Sequence, residues 1–120
     1  MSLDIRESAR EGVIVLTMKG RLAVGESNAL REKVNAVSAA GTQNIVLDLS
    51  QLDYIDSTGI GELVGYLGKF TTQNRKLILV NPSERIMKLL KLAKLDTVFK
   101  IYSTEEEAIA AESGSAAASA

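Results

Sequence analysis

The sequence contains no cysteine and no histidine. That absence removes disulfides, thiol nucleophiles, histidine general bases and nearly all structural zinc chemistry. Most hydrolytic mechanisms go with them, so no catalytic residue, cofactor or metal is expected. Aromatic residues make up 4% of the chain and Trp is missing, which argues against stacking platforms for bases or sugars. Neither sign of charge is in excess: 14 basic and 15 acidic residues leave a formal charge of −1. Nothing in that balance attracts nucleic acid or anionic lipid. No window approaches the ~20 apolar residues that span a bilayer, and Met1-Ser2-Leu3-Asp4 lacks the basic and apolar regions of a secretory signal. The expectation is a cytoplasmic chain without membrane insertion.

What is present suffices for one domain, since 120 residues with 46% apolar content can bury a single core. Val13-Ile14-Val15-Leu16-Thr17-Met18 is rich in β-branched residues and reads as a strand, hairpin-paired with Leu3 to Glu7 across Ala9-Arg10-Glu11-Gly12. Leu30, Val34 and Val37 recur at helical spacing, with Ser27 or Gly25 to open that helix and Gly41 to close it. Ile45 to Leu49 is short and apolar on both faces, as a central strand covered by helices should be.

Ile60, Leu63, Val64, Leu67 and Thr71 then predict a second helix, entered through a loop at Asp53-Tyr54-Ile55-Asp56. Lys76 to Val80 is another strand, and Asn81-Pro82 pairs a capping residue with a proline suited to the first helical position. The third helix should bury Ile86, Leu89, Leu90 and Ala93. A last strand is expected at Val98 to Tyr102. Ser103 and Glu106 have capping-box spacing for a fourth helix running to about Ala111. These elements predict an α/β domain over residues 1–112, a small mixed sheet of four or five strands with four helices, followed by a flexible tail over 113–120.

Chemistry concentrates at Asp56-Ser57-Thr58-Gly59, where a carboxylate, two hydroxyls and a glycine meet a helix start. The unpaired N–H groups and the helix dipole favour negative charge there. Plain helix capping accounts for the same residues. A phosphate on Ser57 would also be accommodated at such an end.

Enzymatic alternatives fail on spacing. An aspartic protease triplet is broken by the adjacent Ser57 and Thr58, and a nucleophile elbow would need Gly where Ile55 stands. Gly65 to Phe70 does not fit a phosphate loop. Gly59, Gly61, Gly65 and Gly68 each cost helix stability, which close packing against the sheet would explain. Gly59 and Gly61 would alternatively let a partner's backbone approach. Asp48, Asp53 and Asp56 cluster in sequence, but with no phosphate ligand to share an ion they make a weak Mg²⁺ site. Arg85, Lys88, Lys91 and Lys94 form a basic helix face, either solvated or a dock for an acidic partner.

From Leu3 to about Ala111 the sequence resembles the STAS domain family (sulfate transporter and anti-sigma factor antagonist), and within it the anti-sigma factor antagonists. The resemblance rests on the Gly20-Arg21-Leu22 turn, Ile45 to Ser50, Tyr54-Ile55-Asp56-Ser57-Thr58-Gly59-Ile60-Gly61 and Leu77 to Pro82. It implies that Ser57 is the serine phosphorylated by an anti-sigma factor serine kinase and reset by a serine phosphatase. Unphosphorylated, such a protein binds the kinase and frees a sigma factor. Asp56, Ser57, Thr58, Gly59, Ile60 and Gly61 would form the partner-binding segment. Members commonly carry Asp after the early Gly-x-Leu, where this chain has Ala23. The alternative the resemblance leaves is a scaffolding STAS subunit of a membrane transport or signalling complex, docking through the same helix start without modification.

Overall fold

The computed structural model describes residues 3–23, 25 and 28–119, with 113–119 described by backbone alone. Its elements run β1 (Leu3–Arg10), β2 (Val13–Leu22), α1 (Asn28–Ala40), β3 (Ile45–Ile55), α2 (Ser57–Thr72), β4 (Leu77–Val80), α3 (Glu84–Leu92), β5 (Lys100–Tyr102) and α4 (Glu105–Ser119). One five-stranded sheet holds the strands in chain order. β1 is antiparallel to β2 and every other neighbouring pair is parallel. The mixed α/β sheet expected from the sequence is therefore present.

The hairpin turns on Glu11 and Gly12, with φ of 50° and 80°. Two successive positive φ angles give the turn whose twist matches that of the paired strands.

Because successive parallel strands lie side by side in chain order, right-handed crossovers carry α1, α2 and α3 to the same face. The period-two pattern of the strands separates the two faces. Leu16, Met18, Ile45, Leu47, Leu77 and Leu79 meet Leu30, Val34, Leu63, Phe70 and Leu90 in the main core. Their neighbours Val13, Val15, Val46, Ile78 and Val80 form a second cluster with Ala108 and Ile109 of α4. The central strand is thus covered on both sides, by three helices in front and one behind.

Two buried charges fasten this arrangement. Arg75, 2% exposed, lies over the Phe70 ring at 4.9 Å. It donates to the carbonyls of Val37 and Ser38 at 3.3 Å and of Gln43 at 2.6 Å. It thereby satisfies carbonyls that the end of α1 leaves unpaired. Glu112 on α4, also 2% exposed, accepts from Lys76 Nζ and the Tyr102 hydroxyl, each at 3.0 Å.

Several boundaries differ from the sequence expectation. Gly20-Arg21-Leu22, expected as a turn, closes strand β2, and Asp53-Tyr54-Ile55, expected as a loop, closes β3. Both extensions pair with each other, Arg21 with Tyr54 and Leu22 with Ile55. α3 is capped by Ser83, whose hydroxyl accepts from Ile86 N at 3.2 Å, rather than by Asn81. The box at α4 is shifted by one residue: Thr104 Oγ1 accepts from Glu107 N, and Glu107 Oε1 accepts from Ser103 N. In α2, Phe70 is buried while Val64 is 40% exposed, so the apolar stripe lies to one side of the expected one. Ala93, expected in α3's buried stripe, is exposed as its C-cap, and Val98 lies outside β5. α4 continues past Ala111. Ser27 and, apart from the backbone of 113–119, the expected tail lie outside the described residues.

Candidate functional site

The paired ends of β2 and β3 deliver the chain into α2. Asp56 N donates to the Leu22 carbonyl at 3.3 Å, and Ile60 N donates to the Asp56 carbonyl at 2.9 Å. Asp56 is extended, with φ −111°, and its Oδ1 accepts from Gly59 N at 2.9 Å. It is therefore the N-cap, and Ser57 and Thr58 are the first two helical residues. The expected capping function is real, and it falls to Asp56, leaving both hydroxyls exposed at the positive end of the helix.

Gly59 is buried against its own chain. A Cβ there would overlap the Leu22 carbonyl oxygen and come within 2.7 Å of Ile55 Cγ1. Its bareness serves the β2–α2 contact. Gly61, Gly65 and Gly68 are the reverse case: a Cβ at each would meet nothing within 4 Å, and all three are exposed. Packing against the sheet explains Gly59 alone.

The two neighbouring hydroxyl residues open onto different surfaces. Ser57 borders a groove of about 670 Å³ between α2 and α3, with Tyr54, Ile60, Arg85, Leu89 and Leu92 in its lining. Leu92 is 80% exposed, so the groove presents apolar surface to solvent. Arg21 covers the Tyr54 ring at 4.4 Å along the same wall. Thr58 instead borders a cleft between α1 and α2 with Arg31, Glu62, Gly65, Tyr66 and Lys69. There the Tyr66 hydroxyl bonds to Glu62 Oε2, while Glu62 Oε1 is buried without a partner. Burial and the Glu62 carboxylate push the Tyr66 phenol upward.

The other sequence candidates separate. Asp48 and Asp56 are not brought into one site: Asp48 Oδ1 accepts from Ser50 N at 2.9 Å, and the side chain faces Glu105 of α4. Burial pushes the Asp48 carboxyl up, yet bonds from Glu105 and Ser50 outweigh it and hold it below the ordinary value. Glu105 is raised, first by its bond to Asp48 and then by burial, against the pull of Arg10 at 2.9 Å. Among the described residues no group of three or more carboxylates is placed to hold a metal ion. Ala23, in place of the acid common to the resembling family, is 5% exposed.

Arg85, Lys88, Lys91 and Lys94 are all exposed, and none forms an ion pair among the described residues. Sequence reasoning placed the Ser57 segment at a helix start and Arg85, Lys88 and Lys91 on one helix, but Lys94, expected on that helix face, lies beyond the C-cap Ala93 with φ 60°. Such reasoning missed the groove between α2 and α3, whose walls Tyr54, Leu89 and Leu92 meet only through tertiary packing. Among the described residues no helix is long and apolar enough to cross a membrane.

A family model described as the STAS domain matches residues 5–108. An anti-sigma-B factor antagonist of Staphylococcus aureus is 27% identical over 101 residues, 84% of this chain and 94% of the relative. A Thermotoga maritima crystal structure described as a candidate anti-sigma factor antagonist superposes with a TM-score of 0.80 at 26% identity, covering 88% of this chain and 91% of that one. The Bacillus cell fate determinant SpoIIAA, solved in its phosphorylated form, gives a TM-score of 0.70 at 25% identity, over 88% and 96% of the two chains.

Proposed function

The chain belongs to the STAS domain family, and from that membership we propose that it is a cytoplasmic anti-sigma factor antagonist switched by phosphorylation at Ser57. The observation that carries the proposal is the placement of Ser57: an exposed hydroxyl on the first residue of α2, at the rim of an apolar groove. A partner resting on Tyr54, Ile60, Leu89 and Leu92 would cover that hydroxyl. Asp56, Thr58 and Gly61 would lie at its edge, while Gly59 holds the helix start against Leu22.

The partner proposed is an anti-sigma factor with serine kinase activity. Ser57 Oγ attacks the γ-phosphorus of ATP held by that kinase, the O–P bond forms, ADP leaves, and the hydroxyl proton passes to the kinase. The product carries ~−1.5 to −2 charge where the neutral hydroxyl stood. A 100-fold loss of affinity needs only ~2.7 kcal/mol, which desolvating a phosphate in an interface built for a hydroxyl can supply. No refolding is required, because the helix N-terminus tolerates the charge. A serine phosphatase would restore the hydroxyl.

Relatives named as anti-sigma factor antagonists, and a structural neighbour solved with a phosphate, support this function. The test is incubation with the cognate kinase and ATP. One phosphate is expected at Ser57 by mass spectrometry and none in Ser57→Ala; equal labelling of the variant overturns the proposal.

A further inference from the structure

Phosphorylation is usually read by what it repels, but the groove beside Ser57 also contains something for a phosphate to attract. Arg85 lies in the first turn of α3 and lines the same groove as Ser57. It is exposed and has no ion pair among the described residues. Its company in the groove is mostly apolar, Tyr54, Ile60, Leu89 and Leu92, with one carboxylate, Asp56, whose Oδ1 accepts from Gly59 N. A guanidinium on the wall of a mostly apolar groove suits an acidic side chain on an otherwise apolar partner segment. Lys88 and Lys91 of α3, and Lys94 just beyond its C-cap, are exposed and add positive potential nearby.

We propose that Arg85 is the residue through which the Ser57 switch acts: free in the unphosphorylated chain to receive an acidic group of the partner, and captured in cis by the phosphate once Ser57 is modified. The proposal rests on Ser57 being the phosphate acceptor. It adds that the phosphate competes for the groove from within, as an intramolecular substitute for the partner's own acid. Arginine suits both states, because its planar fork binds carboxylate and phosphate alike. The effective concentration of a phosphate carried on the groove's own rim exceeds that of any free acidic group.

Arg21 is the alternative cation. Its guanidinium is already stacked on the Tyr54 ring, on the strand side of the groove rather than on α3.

The experiment uses full-length protein with phosphoserine installed at position 57 during translation, which makes it independent of any kinase. The phosphate is titrated by phosphorus NMR in the otherwise unaltered chain and with Arg85→Gln, Arg21→Gln or Lys88→Gln. Pairing with Arg85 should hold the second phosphate pKa down, and Arg85→Gln should raise it by on the order of half a unit. Lys88→Gln should leave it in place. A pKa indifferent to Arg85→Gln, or one that follows Arg21→Gln instead, overturns the proposal. So does an equal response to Arg85→Gln and Lys88→Gln, which would mark the general field of α3. If the cognate kinase fails to label Ser57, the functional proposal falls while this titration still reports whether the pair forms.

Discussion

Gly59 of α2 stands so close to the Leu22 carbonyl that no side chain fits between them. Gly59→Ala should therefore destabilise the domain by roughly 2–3 kcal/mol, read as a lower denaturant midpoint with an unchanged slope. If a partner docks at Ser57 as proposed, the loss should extend to that binding, because the contact seats the turn that carries Ser57.

The outward glycines should behave in the opposite sense. Gly61→Ala, Gly65→Ala and Gly68→Ala each fill empty space in an exposed helix and should each stabilise by about 1 kcal/mol. If Gly61 belongs to the partner surface, its substitution should raise the unfolding midpoint and weaken binding together. Gly68→Ala, near the far end of α2, should raise the midpoint alone.

Removing the cap gives a third test. Asp56→Ala deletes the acceptor for Gly59 N and should cost about 1 kcal/mol, whereas Asp56→Asn should retain most of it. Amide hydrogen exchange at Gly59 resolves this, with faster exchange expected in the alanine variant only.

Two of the acids of α4, Glu105 and Glu112, should respond oppositely to pH. Glu105 is raised above its ordinary 4.5 by Asp48 and by burial, so its contribution is full below that value and fades as pH rises through the raised one. Glu112, although burial pushes it up, is held below 4.5 by Lys76 and Tyr102. Its contribution is present above 4.5 and is lost as pH falls through the lowered value. In thermal melts across pH, Glu105→Gln should remove a loss on the alkaline side, and Glu112→Gln a loss on the acidic side. Matching profiles in the two variants would refute the assignment.

Local signals made the order of elements, the motif at a helix start and the stripe of α1 legible in the sequence. Whatever depended on distant partners was hidden. β3 was expected to stop near Leu49 because Ser50 and Gln51 break the apolar run; it continues because Gln51 and Leu52 pair with Lys19 and Gly20 of β2. Asn81 does not cap α3, because its φ of 52° is far from the extended backbone an N-cap adopts, and the helix starts three residues later. Val64 and Phe70 both fit a helical pattern, and only the sheet beneath decides which is buried. The groove was invisible for the same reason, since its walls come from β3, α2 and α3. Arg75 gave no local sign of its part either, since the carbonyls it satisfies lie some thirty residues earlier.

Because the strands are neighbours in space in the order in which they follow one another in the chain, no strand has to be inserted between two already placed. Each one finds its partner in the segment synthesised just before it, and such nearby pairings close quickly. The junction of Leu22 with Asp56 can thus be set while α3 is still to be made. The groove beside Ser57 would be completed only when α3 docks, so a nascent chain would form the start of α2 before it gains the groove wall that α3 supplies.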